Sequence, residues 1–238
     1  MNLKNKLVVI TGASQGLGES LAYKLAQQGA NLALLSRSRT KLKQVKAKLQ
    51  SFKVKTEIFP CDISQPDQVK FITKAILKKF KTIDVLINNA GIWLEGSTEK
   101  SDPEKINTMF QANTLGAIYL TAAVIPHLKT RRQATILNVI SVAGVEPSKD
   151  WSIYTASKYA MRGFTDSLKQ EMQRTNVKVI GFYPGGMNTN LFINAGRQAK
   201  NEPWMMKKQQ VADILIFLLT QPKDIVIDHL EVRKFFGK

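Results

Sequence analysis

Short apolar runs separated by longer helical patterns fill this chain from end to end. That alternation constrains its fold more than any other feature. The runs cover 7–11, 31–36, 56–62, 84–89, 134–141, 178–184 and 224–232. Most are rich in Val, Ile and Leu without clean polar alternation, as strands buried on both faces are. Apolar spacing of three and four residues predicts helices over about 16–29, 38–51, 66–80, 104–129, 152–175 and 209–220. Repetition of strand and helix at this spacing implies right-handed crossovers and a parallel sheet covered on both sides. The expectation is an α/β fold, doubly wound, with a seven-stranded parallel sheet in one domain spanning 1–238.

Composition narrows the classes of function. The only cysteine, Cys61, excludes an internal disulfide, and no Cys/His cluster has metal-ligand spacing. The apolar run at 7–10 breaks at Thr11-Gly12, too short for a signal-peptide core, and the longest apolar stretch, near 214–219, is far below spanning length. A cytoplasmic protein without a membrane partner is expected. Against 18 acidic residues stand 35 Lys and Arg, a net charge of +17. The lysines fall mainly in 41–55 and 70–81, without interleaved aromatics or a nucleic-acid motif. They read as solvated faces, and nucleic acid is not expected as a partner. In 104–129 the apolar residues Ile106, Met109, Phe110, Leu115, Ile118, Leu120, Val124 and Ile125 wrap around more than one face. One side suits the sheet and the other a partner subunit. A homodimer or homotetramer formed through this helix and 152–175 is expected.

Directly after the first run comes Thr11-Gly12-Ala13-Ser14-Gln15-Gly16-Leu17-Gly18, opening a helix. Glycines at 12, 16 and 18 permit a tight turn, close backbone approach to a pyrophosphate and close helix–strand packing. The helix N-terminus adds free N–H groups and a partial positive charge. Strand before and helix after are the context that makes this a dinucleotide site. After the second run, where an acidic residue would favour NAD, the chain has Ser36-Arg37, with Arg39 close behind. A guanidinium pairs with a 2′-phosphate, so NADP(H) is favoured over NAD(H).

Tyr154 and Lys158 stand four residues apart in a helical pattern, hence on one face. A cation beside the phenol favours the phenolate and lowers the tyrosine pKa, which suits a general acid or base. Further motifs are Asp62, Asn88-Asn89-Ala90-Gly91, Asn113, Ser141 and Pro184-Gly185 with Thr189 following. The ordered set resembles the short-chain dehydrogenases/reductases along essentially the whole chain, and the C-terminal stretch 221–233 looks more like their sepiapterin-reductase-like and hydroxy-acid-dehydrogenase branches. The resemblance implies a Rossmann-type fold and an oxidoreductase moving a hydride between NADP(H) and a carbonyl or secondary alcohol. It implies Tyr154 as general acid/base, Ser141 bonded to the same substrate oxygen, Lys158 lowering the tyrosine pKa and binding ribose, and Asn113 holding a relay water. It places Asp62 and Ile63 at adenine, Asn89, Ala90 and Gly91 along the cofactor, and Pro184, Gly185, Met187 and Thr189 at the nicotinamide end. Gln15 departs from the pattern, standing where many NADP-preferring relatives carry a base, so Arg37 is left most of the discrimination. The alternative is an NADP-binding redox sensor or regulator without turnover, against which the intact set of Ser141, Tyr154, Lys158 and Asn113 argues.

Substrate contacts are expected from a lid at about 187–208, with Leu191, Phe192, Ile193, Trp204, Met205 and Met206, joined by Trp93 and Trp151. The same residues would equally serve as core or subunit packing. Arg197 and Lys200 are candidate partners for a substrate carboxylate.

Overall fold

The computed structural model of the chain describes residues 1–197 and 201–235. Seven strands form one sheet: β1 (Leu7–Thr11), β2 (Asn31–Ser36), β3 (Thr56–Pro60), β4 (Val85–Asn88), β5 (Ala134–Val139), β6 (Val177–Pro184) and β7 (His229–Val232). Their order is β3-β2-β1-β4-β5-β6-β7, and every pairing is parallel. All of β1 is buried, as are all of β4 and the central residues of β2. That burial on both faces explains why these runs lack alternation.

The helices divide between the two faces. One layer holds α1 (Gly16–Gln27), α2 (Arg39–Lys48) and α8 (Lys208–Thr220). Leu21, Leu25 and Leu42 of this layer pack with Leu215 against Val8, Ile10, Leu32 and Leu34. The opposite layer holds α3 (Pro66–Phe80), α5 (Gly116–Lys129) and α6 (Ser152–Met172). Ile72, Ile76, Leu120, Val124 and Leu168 there meet Leu7, Val9, Leu86 and Ile136. Alternate residues along β1 thus serve two cores at once, Val8 and Ile10 one and Leu7 and Val9 the other. Two short helices, α4 (Pro103–Phe110) and α7 (Leu191–Asn194), complete the set near the C-terminal ends of the strands.

Three expected elements change. The single helix over 104–129 is α4 and α5 joined by one π-turn, Gln111–Leu115. By length and composition the whole path Pro103–Lys129 is apolar enough to cross a membrane, although the sequence reading placed no such stretch here. In the fold its apolar residues instead pack between the sheet, α3 and α6. The helix expected over 38–51 stops at Lys48, and a tight 3₁₀ turn, Gln50–Phe52, follows. The last strand keeps only His229–Val232 of the expected 224–232, because Lys178 Nζ donates to the carbonyls of Pro222 and Ile225 and holds that segment as a turn.

Candidate active site

The strand order reverses direction between β1 and β4, which opens a crevice beyond their C-terminal ends. Gly12 follows β1, Arg37 follows β2, Asn89 follows β4, Ser141 lies just beyond β5, and Pro184 ends β6. The topology alone therefore gathers the expected residues along one edge.

The glycine turn is tied to the loop after β4 by Thr11. Its Oγ1 accepts from the backbone N–H groups of Asn89 (3.0 Å) and Ala90 (2.9 Å), while Asn89 Nδ2 donates to the Thr11 carbonyl at 2.9 Å. Gly12 has φ +66°, and a Cβ there would stand 2.9 Å from Asn89 Nδ2. A Cβ on Gly18 would stand 2.3 Å from the Gly12 carbonyl oxygen, so this position tolerates no side chain. Gln15 precedes α1 with no side-chain cap on the helix, leaving its first N–H groups for an anion. Ser14, Gln15 and Gly16 are half-buried and Leu17 is buried beneath them. These features fit a dinucleotide pyrophosphate.

Arg37 is exposed at the end of β2, beside Ser36, whose buried Oγ has no hydrogen-bond partner. The structure adds a residue that sequence reasoning missed. Lys41 Nζ reaches back from the first turn of α2 and donates to Gln15 Oε1 at 3.1 Å. Ser38 fixes that turn by capping it, its Oγ accepting from Lys41 N–H. The cation missing from the glycine turn is thus supplied by its neighbour. Asp62 is half-buried, its Oδ1 accepting from Ser64 N–H and Oγ, while the side chain of Ile63 packs where Gly116 opens α5.

The π-turn delivers Asn113. Its Oδ1 accepts from Ile92 N–H at 2.7 Å, and its Nδ2 donates to the Ile92 carbonyl (3.0 Å) and to Ser157 Oγ (3.1 Å). Thr114 Oγ1 donates to the Ser157 carbonyl, so the turn grips α6 one residue before Lys158. A Cβ on Gly91 would lie 3.1 Å from Asn113 Oδ1 and 3.6 Å from Lys158 Nζ, so these three residues converge. The extra residue of a π-turn, a frequent device at functional sites, rotates Asn113 inward without breaking the helix.

Tyr154 and Lys158 are buried, 6% and 5% exposed, with the ammonium 5.7 Å from the ring centre. Ser141 begins the turn after β5, its Oγ accepting from Ala143 N–H. The expected lowering of the tyrosine pKa is not what the surroundings produce. Burial pushes Tyr154 up to about 12, and a hydrogen bond with Ser141 opposes it. Burial also pushes Lys158 down to about 8. A low-dielectric site disfavours both charged forms, and for Tyr154 that burial outweighs the neighbouring ammonium.

The lid begins where Gly185 N–H donates to the Val232 carbonyl and Met187 bridges to Met206. Thr189 lies beside Gly16, its Cβ 3.5 Å from where a Cβ there would be, so the lid abuts the glycine turn. Phe192 and Met205 are buried together with Trp93 and Tyr154. Arg197, considered for a substrate carboxylate, is occupied by the protein's own Glu95 at 3.0 and 3.2 Å. Lys200 lies outside the described residues.

A sequence profile described as short chain dehydrogenase matches residues 6–200. The chain belongs to the short-chain dehydrogenase family. An uncharacterized oxidoreductase of Staphylococcus epidermidis is 31% identical over 233 residues, covering 97% of this chain and 98% of that protein. An alcohol dehydrogenase of the archaeon Thermococcus sibiricus, solved with 5-hydroxy-NADP, superposes with a TM-score of 0.91 at 27% identity, covering 99% of both chains. A 3-ketoacyl-(acyl-carrier-protein) reductase of Brucella melitensis, solved with NADH, gives 0.88 at 26%, covering 97% of this chain and 98% of that one. This family member is accordingly an oxidoreductase with a Rossmann-type nucleotide-binding fold. Its solved relatives include complexes with each type of nicotinamide cofactor.

Proposed function

We propose that this oxidoreductase reduces the carbonyl group of a small molecule with NADPH, through one nucleotide-binding domain that spans the chain. The convergence of Tyr154, Lys158, Asn113 and Gly91 at the C-terminal edge of β4 and β5 carries the reading. The glycine turn and α1 would hold the pyrophosphate, with Asp62, Ile63, Asn89 and Ala90 along the nucleoside and Pro184, Gly185, Met187 and Thr189 at the nicotinamide end. Bound NADPH supplies the hydride for the carbonyl carbon. With burial pushing its pKa up to about 12, Tyr154 holds its proton at neutral pH and is a donor to the substrate oxygen in the reducing direction. Ser141 orients that oxygen, and Lys158 restores the proton to Tyr154. The free lone pair of Asn113 Oδ1 offers a seat for a relay water. In net terms one carbonyl, one NADPH and one proton give one alcohol and one NADP⁺.

Preference for the phosphorylated cofactor rests on Arg37 and Lys41, two cations at the ribose end with no carboxylate between them. Self-association through α5 and α6 is supported by Ala122, Tyr159, Ala160 and Gly163, all exposed on those helices, and by exposed Leu115 at the end of the π-turn. Such a protein would act in the cytoplasm. Tyr154→Phe tests the core of the reading. Turnover should fall at least about a hundredfold while NADPH binding by fluorescence is retained; a variant that keeps its activity overturns the mechanism.

A further inference from the structure

The positive charge of the chain is concentrated at one end of the sheet. In 39–81, 12 Lys and Arg stand against 3 Asp and Glu, a net +9 of the chain's +17. This stretch builds α2, β3 and α3, and β3 is an edge strand. From opposite faces of the sheet, Lys46 of α2 (2.8 Å) and Lys79 of α3 (3.1 Å) meet on Glu57 of β3. Lysines beside an edge strand guard it against pairing with another chain. That accounts for Lys53 and Lys55, but not for α3.

On α3 the residues Val69, Ile72, Thr73 and Ile76 are buried. At about 100° per residue, Lys70, Phe71, Lys74 and Lys78 share one arc on the opposite side, about 100° wide. All four are exposed. Lysines spaced by four repel one another and weaken a helix. Lys70 has only Asp67 near it, at 3.6 Å and fully exposed, while Lys74 and Lys78 have no ion pair among the described residues. Phe71 stands among these cations 71% exposed, more than any other large apolar side chain described except Phe235. Neither the repelling lysines nor the bare ring stabilises α3 in water. An anionic surface with an apolar layer beneath it would satisfy both.

The shape and the choice of cation point to the occupant. The outer face of a helix is convex and offers no groove for a nucleic-acid strand. Of the 12 cations, 11 are lysines, whereas hydrogen-bonded phosphate recognition favours the arginine fork. A flat anionic surface needs only point charges and a ring to bury. We propose that the α3 face docks on an anionic lipid bilayer, with Lys70, Lys74 and Lys78 at the headgroups and Phe71 inserted at the acyl boundary. Such a contact is peripheral and needs no spanning stretch. α3 lies outside the proposed α5–α6 association surface, and the inference does not depend on the role of Tyr154.

The test is co-sedimentation of the full chain with vesicles of phosphatidylcholine, alone or mixed equally with phosphatidylglycerol. Binding to the anionic vesicles only, weakened by added salt, is expected. Replacing three lysines together (Lys70→Gln, Lys74→Gln, Lys78→Gln) should weaken it about a hundredfold, and Phe71→Ser about tenfold. A charge-matched control (Lys4→Gln, Lys129→Gln, Lys223→Gln), with its lysines exposed elsewhere, should bind nearly as the parent does. Every substituted side chain is exposed, so melting temperatures should stay within about 2 °C of the parent. No binding to anionic vesicles, equal binding to neutral ones, unchanged binding in either α3 variant, or an equal loss in the control overturns the assignment. Fluorescence anisotropy with poly(U) RNA gives the remaining outcome: tighter binding to RNA than to vesicles, lost in the α3 triple variant, assigns the face to nucleic acid and overturns it too.

Discussion

Lys158 destabilises the fold it serves, and its removal should show this directly. Its side chain is 5% exposed and makes no hydrogen bond or ion pair among the described residues. Burial lowers its pKa from 10.5 to about 8. Between those values the unfolded chain holds a proton that the folded chain has released, so stability rises with pH across that window. Below it, the native state carries a buried ammonium at a cost of about 3 kcal/mol, roughly 1.4 kcal/mol for each pH unit of the gap. Lys158→Met keeps the apolar stem and removes the charge. Without cofactor at pH 7, the variant should therefore melt about 6–12 °C above the parent protein, taking 2–4 °C per kcal/mol at this size. The gap should narrow as pH passes 8 and close near 10. Tyr154 titrates in the opposite sense: its raised value means stability is lost from about pH 10 toward 12, so scanning fluorimetry from pH 6.5 to 10 isolates the lysine. A variant no more stable than the parent at pH 7, or a gap independent of pH, refutes the reasoning.

Other outcomes follow from the same geometry. Asn113→Ala strips three hydrogen bonds and leaves both backbone groups of Ile92 without that partner. A loss of about 3 kcal/mol, or about 6–12 °C in melting temperature, is expected, and a change under 2 °C would contradict it. Arg37→Ala and Lys41→Ala should each raise the dissociation constant for NADPH about tenfold, as loss of a charge-assisted phosphate contact does. Titration with NADH should show little change, and equal weakening of both cofactors would reject the assignment. Light scattering at micromolar concentration should report a dimer or larger; a monomer would argue against the α5–α6 interface.

The legible parts of this protein are those set by burial and by backbone freedom. Runs at 7–11 and 31–36 match β1 and β2 because strands covered on both faces must be apolar throughout. Gly12 and Gly18 were readable because no other residue fits a positive φ or a 2.3 Å approach to a carbonyl. The π-turn was not readable, since one extra residue leaves the apolar pattern of 103–129 nearly intact. Asn113 amid apolar neighbours was its only trace. Lys41 was hidden for another reason: in a run with Lys43, Lys46 and Lys48, nothing but the direction of the first turn of α2 distinguishes it. The direction of the Tyr154 shift was missed because spacing reports neighbours, while burial, which dominates here, depends on what the lid and α4 place overhead.

The expected melting gain from Lys158→Met and the expected loss from Asn113→Ala are of similar size and opposite sign, and this ties the π-turn to the chemistry. A lysine buried without a counterion would be expelled toward solvent unless its helix were held. Asn113 and Thr114 hold it, gripping Ser157 through side chain and backbone. Gly91 leaves the open space beside Nζ that a side chain would fill. The unfavourable ammonium is thus offset by bonds made one residue away, where they do not touch the nitrogen itself. Were stability alone at stake, a methionine at 158 and a regular helix through 113 would serve better. The two departures from that simpler design occur together, on the side of the sheet where the glycine turn and Tyr154 also converge, and that coincidence is what the proposed proton transfer to a substrate carbonyl requires.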